Sequence, residues 1–183
     1  MSLREVSRRL FFALWPDAGQ QEALAQSARQ AIQASGGRPI PAGNLHLTVA
    51  FLGAVPERRI PELATLARRV VAPAPLQFSF TRLEYWARPQ VLCAVPEATP
   101  VAAMALADSL RTELVAAGFT PDLKLFRAHV TLARKVQLGS HALNMTCVSW
   151  SFTELALVES QTAAQGALYS VLDSWLLVKP QLV

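Results

Sequence analysis

Residues 46–50 read HLTVA and residues 129–133 read HVTLA, so nearly the same phrase occurs twice, 83 positions apart (129 − 46). The chain has only three histidines, and two of them begin these pentads. The β-branched and apolar residues of each pentad predict a strand. Side chains two apart in a strand share a face, so each strand presents a histidine and a threonine on one face and a Leu/Val pair on the other. The repeat therefore predicts two half-buried strands with matching polar faces.

Length and composition favour one domain. The chain has 183 residues, of which 52% are hydrophobic and 16% are charged, which is enough apolar material for a core. No linker-like stretch separates the two halves, and each half offers helices, a pentad strand and further strands. We predict a single domain over residues 1–183, with two similar lobes, one motif near residues 46–49 and the other near residues 129–132.

The order of elements predicts the fold class. The chain reads as β α β α β β α β β β, and Gly53 is predicted to end the second strand. Strands that are not each followed by a helix favour an α+β fold, with antiparallel sheets and outer helices, over a doubly wound parallel sheet. The predicted strands cover residues 9–15, 45–52, 76–86, 91–95, 128–133, 148–159 and 167–178, and the predicted helices cover residues 17–34, 56–71 and 99–117.

Charge and cysteine usage restrict the setting. The formal net charge of +4 favours anionic partners without identifying nucleic acid. Cys93 and Cys147 lack a CxxC spacing, which suits a reducing compartment. The apolar run LFFALW is too short for a signal peptide or a membrane span. We therefore expect a cytoplasmic protein without a membrane partner, and a monomer by default.

The pentads predict acid–base chemistry. Imidazole has a pKa of about 6.5, so one histidine can remove a proton while the other donates one. Threonine hydroxyls are suited to phosphate oxygens. His46 and His129 are therefore candidate catalytic residues, with Thr48 and Thr131 as candidate phosphate-binding residues.

The two histidines could instead have a structural role or bind a metal. A structural repeat would bury both imidazoles away from any cleft. A metal site would need further ligands, but neither pentad has Asp, Glu or Cys beside its histidine, and HExxH is absent. We expect no metal and no cofactor. The third histidine, His141, has no threonine two positions on and is predicted to lie exposed in a loop.

The sequence resembles a known family. NLHLTVAFLG at residues 44–53 and FRAHVTLARK at residues 126–135 resemble the paired HxTx motifs of the two-histidine phosphoesterases, in particular the RNA 2′,3′-cyclic phosphodiesterases, also called 2′-5′ RNA ligases. The resemblance extends to RLFFALWPD, YWARPQVL, SFTELALVES and YSVLDSW. It implies a bilobal α+β fold with a pseudo-twofold axis and a central cleft that carries both HxTx strands.

The resemblance also implies an activity. The enzyme would open a 2′,3′-cyclic phosphate on an RNA end or nucleotide to a 2′-phosphate without a metal. His46 would protonate the leaving 3′ oxygen, and His129 would activate water. Thr48 and Thr131 would hold the non-bridging oxygens. From the residues alone the two histidines are interchangeable, and microscopic reversibility would allow 2′-5′ ligation.

Arg134 resembles the arginine that follows the second motif in this family. Its offset of five from the histidine (134 − 129) would turn it away from the cleft in a regular strand. We therefore predict that the strand ends or bulges near Ala133, so that the guanidinium reaches a phosphate or a base.

Two alternative functions stay open. One is hydrolysis of another small cyclic phosphate, such as that of ADP-ribose, which would keep the four motif residues and change only the pocket. The other is a non-catalytic nucleotide- or RNA-binding module on the same scaffold, which has no need for a matched acid and base.

Overall fold

The computed structural model of the protein describes residues 6–72, 75–122, 124–137, 144–163 and 166–177. Within these residues lie nine strands and four helices. The strands are β1 (Ser7–Leu14), β2 (Arg38–Pro39), β3 (Leu47–Pro56), β4 (Leu76–Trp86), β5 (Val91–Pro96), β6 (Val130–Arg134), β7 (Val148–Phe152), β8 (Glu154–Ala163) and β9 (Gly166–Leu176). The helices are α1 (Ala18–Ser27), α2 (Arg29–Ala34), α3 (Ile60–Ala67) and α4 (Val101–Ala116).

The strands form two antiparallel sheets. The first sheet has the order β3-β1-β8-β9, and the second has the order β2-β6-β5-β4-β7. Every neighbouring pair is antiparallel. The predicted α+β class with antiparallel sheets is confirmed. One motif strand, β3, is an edge strand of the first sheet, and the other, β6, lies inside the second sheet.

The two sheets exchange strands along the chain. β2 belongs to the N-terminal half but pairs with β6, and β8 belongs to the C-terminal half but pairs with β1. The main hydrophobic cluster contains Leu10 and Phe12 from the first sheet and Phe78 and Phe80 from the second. The sheets are therefore joined by one apolar core, which fixes the motif strands relative to each other.

Strand β1 is buried on both faces, which explains its continuous apolar run. Leu10 and Phe12 face the main cluster, whereas Phe11 and Ala13 pack in a second cluster with residues of β8. That second cluster lies beside the first motif. The face of β1 that carries Phe11 and Ala13 is therefore buried beside the first motif and not in the main core.

Several details of the predicted elements are wrong. The helix predicted over residues 56–71 is a 3₁₀ turn at Glu57–Arg59 followed by α3, which ends at Ala67. The helix predicted over residues 17–34 is broken at Ala28, whose ψ of 1° departs from the helical value. The strand predicted over residues 148–159 is two strands in different sheets, separated at Thr153. Gly53 does not end its strand: it has a φ of 70°, lies at a β-bulge opposite β1, and β3 continues to Pro56.

Within the described part of the chain, no helix is long and apolar enough to cross a membrane. His141 lies outside the described residues, so its predicted exposure stays a prediction.

Candidate active site

The two pentads meet at one cavity of about 420 Å³. His46 and Thr48 line it from the first motif, and His129 and Thr131 line it from the second. The structure therefore brings together the four residues that the repeat singles out. A purely structural repeat, with both histidines away from any cleft, does not fit this arrangement.

Both imidazoles are oriented by the same backbone contact. The Nδ1 atom of His46 lies 2.7 Å from the carbonyl oxygen of Asn44, and the Nδ1 atom of His129 lies 2.7 Å from that of Arg127. Because a carbonyl only accepts, Nδ1 carries the proton and donates it in each ring. Nε2 is then a free proton acceptor in both neutral rings. Each histidine immediately precedes its strand instead of lying within it.

A β-bulge is repeated in both motifs. The extra residue is Val49 in β3 and Leu132 in β6, each three positions after its histidine (49 − 46 and 132 − 129). A bulge reverses the alternation of faces. The residue five positions after each histidine therefore returns to the cavity, where Phe51 and Arg134 both lie in the wall. The bulge predicted near Ala133 thus falls one residue earlier.

His46 is enclosed by aromatic rings. Trp15 stacks on it at a centroid distance of 5.2 Å and an interplanar angle of 9°. Phe11 and Tyr169 lie 4.9 Å and 5.1 Å away. Burial in this box lowers the pKa of His46 from 6.5 to about 4, against the opposing effect of the hydrogen bond to Asn44. The ring is therefore neutral at physiological pH in the free protein.

The surroundings of His129 differ from those of His46 and include an aromatic ring and two charged groups. Its ring lies 4.5 Å from that of Trp86. Trp86 donates through Nε1 to Glu84 at 2.9 Å, and the same carboxylate pairs with Arg127, whose guanidinium lies over the Trp86 ring. Burial lowers the pKa of His129. The hydrogen bond to the carbonyl of Arg127 and the charge of Glu84 oppose this, while the guanidinium charge of Arg127 adds to it. The two histidines therefore share a backbone contact but differ in their surroundings.

The threonine hydroxyls are available to a ligand. Among the described residues, Thr48 makes no side-chain hydrogen bond, and Thr131 contacts only the sulfur of Cys93, at 4.0 Å. Burial raises the pKa of Cys93 to about 12, so this group stays a thiol and is a weak partner. Both hydroxyls can donate to an oxyanion in the cavity.

Several residues of the cavity wall have no signal in the sequence near the motifs. Arg9 lies over the ring of Phe51 at 4.8 Å, and Tyr169 comes from β9. Sequence reasoning missed them because strand pairing, not local pattern, brings them to the site. The wall residues found only in the structure are Arg9, Ile40, Asn44, Ser160, Thr162, Ala167 and Tyr169.

The cavity is lined by two imidazoles with free Nε2 atoms, two hydroxyls and a guanidinium, and it lies in a fold of two antiparallel sheets. This is the arrangement expected of a two-histidine phosphoesterase. The family model described as "LigT like Phosphoesterase" matches residues 14–93. The RNA 2′,3′-cyclic phosphodiesterase of Escherichia coli K12 is 30% identical over 176 residues, covering 94% of this chain and 98% of that protein. The chain belongs to the family of LigT-like phosphoesterases.

Other relatives agree with this membership. The RNA 2′,3′-cyclic phosphodiesterase of Thermus thermophilus is 29% identical over 178 residues, covering 91% of this chain and 89% of that protein. The crystal structure of Escherichia coli LigT complexed with 3′-AMP has a TM-score of 0.86 and 28% identity, covering 95% of this chain and all (100%) of that one. The same protein complexed with phosphate has a TM-score of 0.77, with 30% identity over 94% of this chain and 99% of that one.

Proposed function

We propose that this protein hydrolyses 2′,3′-cyclic phosphates on RNA ends or nucleotides to 2′-phosphates without a metal. The observation that carries the proposal is the shared cavity, in which two imidazoles present acceptor nitrogens beside two hydroxyls that lack strong partners. The named relatives are RNA 2′,3′-cyclic phosphodiesterases, which supports the same substrate class.

The reaction needs one base and one acid. The Nε2 atom of His129 takes a proton from water, and the water oxygen forms a bond to phosphorus. The bond from phosphorus to the 3′ oxygen breaks, and His46 gives that oxygen a proton from Nε2. The product has a 3′-hydroxyl and a 2′-phosphate. With a 5′-hydroxyl in place of water as the attacking group, the same steps form a bond from the 5′ oxygen to phosphorus, break the bond to the 3′ oxygen and join RNA ends through a 2′-5′ linkage.

His46 must be protonated to act as the acid, although its pKa in the free protein is about 4. An anionic phosphate in the cavity supplies the missing charge partner. The aromatic box is poorly solvated, so the attraction between imidazolium and phosphate is strong there. The substrate therefore brings His46 into its charged form, and a proton is taken up as the substrate binds.

Thr48, Thr131 and Arg134 stabilise the negative charge on the phosphoryl oxygens. The hydroxyls donate to the non-bridging oxygens, and the exposed guanidinium of Arg134 adds a positive charge at the cavity wall. Their donors are in place before the substrate arrives, because paired strands hold them.

The test is turnover of adenosine 2′,3′-cyclic phosphate in the presence of a chelator, with the product identified as the 2′-monophosphate. Replacing either histidine in His46→Ala or His129→Ala should lower kcat by about 10²–10⁴-fold. Thr131→Val should lose activity that Thr131→Ser keeps, since only the first removes the hydroxyl. Loss of activity in chelator would instead support a metal mechanism, and tight binding without turnover would support a binding module.

We further propose that the protein acts as a monomer in the cytoplasm. The free thiols of Cys93 and Cys147 are consistent with a reducing compartment. Sedimentation equilibrium at micromolar concentration would test the monomeric state, and a dimer would contradict it.

A further inference from the structure

A second cavity of about 610 Å³ opens beside the catalytic cavity, and we call it the lateral groove. The two spaces adjoin each other, because both are lined by Ile40, Asn44, Arg134, Ala167 and Tyr169. Five further residues line the lateral groove but not the catalytic cavity: Arg38, Pro39, Pro41, Lys135 and Leu168. They come from the β2 segment, the end of β6 and the start of β9.

The lateral groove carries uncompensated positive charge. Arg38 lies directly opposite Arg134 in the β2–β6 ladder, and Lys135 follows at once. Like charges placed opposite each other in a sheet destabilise the pair. Among the described residues, none of the three forms an ion pair, and no Asp or Glu lines the groove. An anion between these side chains would relieve the repulsion.

The opposite flank of the site differs. A cavity of about 550 Å³ on the His129 side shares Arg134 with the lateral groove, but its other two cations, Lys124 and Arg127, each have a carboxylate partner. Lys124 pairs with Asp122 at 3.2 Å, and Arg127 pairs with Glu84. The attraction for a polyanion is therefore concentrated in the lateral groove.

The lateral groove also offers apolar surface beside its charges. Leu168 is 58% exposed, and the neighbouring wall includes the rings of Pro39, Pro41 and Tyr169. A flat nucleobase packs well on such a surface, and stacking on an aromatic ring does not depend on which base is present. Cations for phosphate next to an apolar wall for a base are the combination that single-stranded nucleic acid requires.

We propose that the lateral groove binds the RNA chain on the 5′ side of the cyclic phosphate. Arg38 and Lys135 hold the phosphodiester that precedes the terminal nucleotide, and the preceding base packs against Leu168. Arg134 lies at the junction of the two spaces and contacts both phosphates. This inference rests on the proposed function and narrows its substrate to oligonucleotide ends rather than mononucleotides.

The test compares kcat/KM for a trinucleotide ending in a 2′,3′-cyclic phosphate with that for adenosine 2′,3′-cyclic phosphate. The wild-type protein should favour the trinucleotide by about tenfold, as expected for one to two added phosphate contacts. In Arg38→Gln/Lys135→Gln the ratio should fall towards one. The dependence of log kcat/KM on log salt should also flatten by roughly 0.7 per lost phosphate contact on a single strand.

A matched control removes the same charge elsewhere. Arg29 and Arg68 are exposed and line neither the catalytic cavity nor its two flanking cavities. Arg29→Gln/Arg68→Gln should keep the wild-type ratio and salt slope. Equal ratios of trinucleotide to mononucleotide kcat/KM in the two double variants would overturn the proposed RNA binding in the lateral groove. A wild-type protein that does not prefer the trinucleotide would overturn it as well.

Binding is measured separately so that failure of the chemistry does not hide the result. The probe is a 5′-fluorescein trinucleotide that ends in a 2′-phosphate, followed by fluorescence anisotropy. Weaker binding by about tenfold in Arg38→Gln/Lys135→Gln, and not in the control, supports the groove even if no cyclic phosphate is turned over. If the wild-type protein turns over mononucleotides but Arg38→Gln/Lys135→Gln binds the probe as tightly as the wild-type protein does, the proposed function stands and RNA binding in the lateral groove is rejected.

Discussion

At the scale of single residues, the two histidines make the same backbone contact but lie in different electrostatic surroundings. Each imidazole donates from Nδ1 to a carbonyl two residues earlier, which leaves Nε2 as the proton acceptor of the neutral ring. His46 then meets three aromatic rings, whereas His129 meets Trp86 and the Glu84–Arg127 pair. The environment, and not the motif, therefore decides how readily each ring is protonated.

This difference predicts that phosphate changes the protonation of His46. Saturating inorganic phosphate should raise the pKa of His46 from about 4, because the bound anion stabilises the imidazolium in a poorly solvated box. By linkage, phosphate should bind more tightly as the pH falls through the raised pKa. NMR titration of the ring protons with and without phosphate measures the shift. An unchanged midpoint for His46 under saturating phosphate would contradict the assignment of His46 as the acid.

At the scale of elements, the position of His46 depends on a short loop that a helix holds in place. Gln21 of α1 is only 5% exposed and donates to the carbonyl oxygens of Gly43 and Leu45, at 3.1 Å and 3.0 Å. Asn44 lies between these two residues and supplies the carbonyl that orients His46. The helix is thus connected to the His46 ring through two successive sets of hydrogen bonds.

Gln21→Leu should therefore affect His46 and not His129. The variant keeps the apolar volume but leaves two carbonyls without their donor, which costs about 1–3 kcal/mol when such groups are buried. We expect lower kcat and an altered titration of His46, with the titration of His129 unchanged. Gln33→Leu, at an exposed position of α2, is the control. Equal changes in both histidines would indicate general loosening of the fold instead.

The contact of β2 with the end of β6 requires a glycine. A Cβ atom at Gly37 would lie 2.8 Å from a methyl carbon of Val136 and 2.9 Å from the backbone oxygen of Arg134. Because the second neighbour is backbone, the strands must move apart in Gly37→Ala, at a cost of about 1–3 kcal/mol. The movement should weaken binding of phosphate at Arg134.

Gly43→Ala is the matched control, since a Cβ atom there meets nothing within 4 Å. Urea unfolding and phosphate titration of both variants measure the two effects. Equal stability of Gly37→Ala and the wild-type protein would show that β2 moves freely and is not fixed against β6.

The elements also show what sequence can predict. The pattern over residues 76–86 predicts a strand with the bounds of β4, because its alternation is local and uninterrupted. The bulges at Val49 and Leu132 are not predicted at these residues, since they depend on the register of the partner strand. The motif histidines and threonines are found because they repeat. Tyr169 and Trp15 are not, because only the pairing of distant strands brings their rings to His46.

At the scale of the whole molecule, the cavity exists only where the two sheets pack together. Neither sheet alone supplies both histidines, and the apolar cluster that joins the sheets contains residues from both. A single domain over residues 1–183 remains a prediction, and it implies one cooperative unfolding transition. Two separate transitions in urea would contradict it.

Burial of His46 at this junction makes the stability of the whole fold depend on pH. The pKa of His46 is about 4 when folded, against 6.5 for an exposed imidazole. Above pH 6.5 both states are neutral, so the stabilising effect of keeping the ring neutral is fully present. As the pH falls towards 4, His46 becomes protonated in the unfolded chain but stays neutral in the folded protein. The free energy of unfolding therefore falls by up to about 3 kcal/mol.

Urea unfolding at pH 7 and pH 4 measures this loss, and His46→Gln isolates it because glutamine does not titrate. The carboxylates are present in both proteins, so their contributions cancel in the difference between the two pH dependences. The variant should lose less stability on acidification than the wild-type protein, by about the same 3 kcal/mol at most. Since part of the ring faces the open cavity, solvent reduces the effect below this limit. Identical pH dependences would mean that His46 is not shielded from water, and the aromatic box would then have no part in setting its protonation.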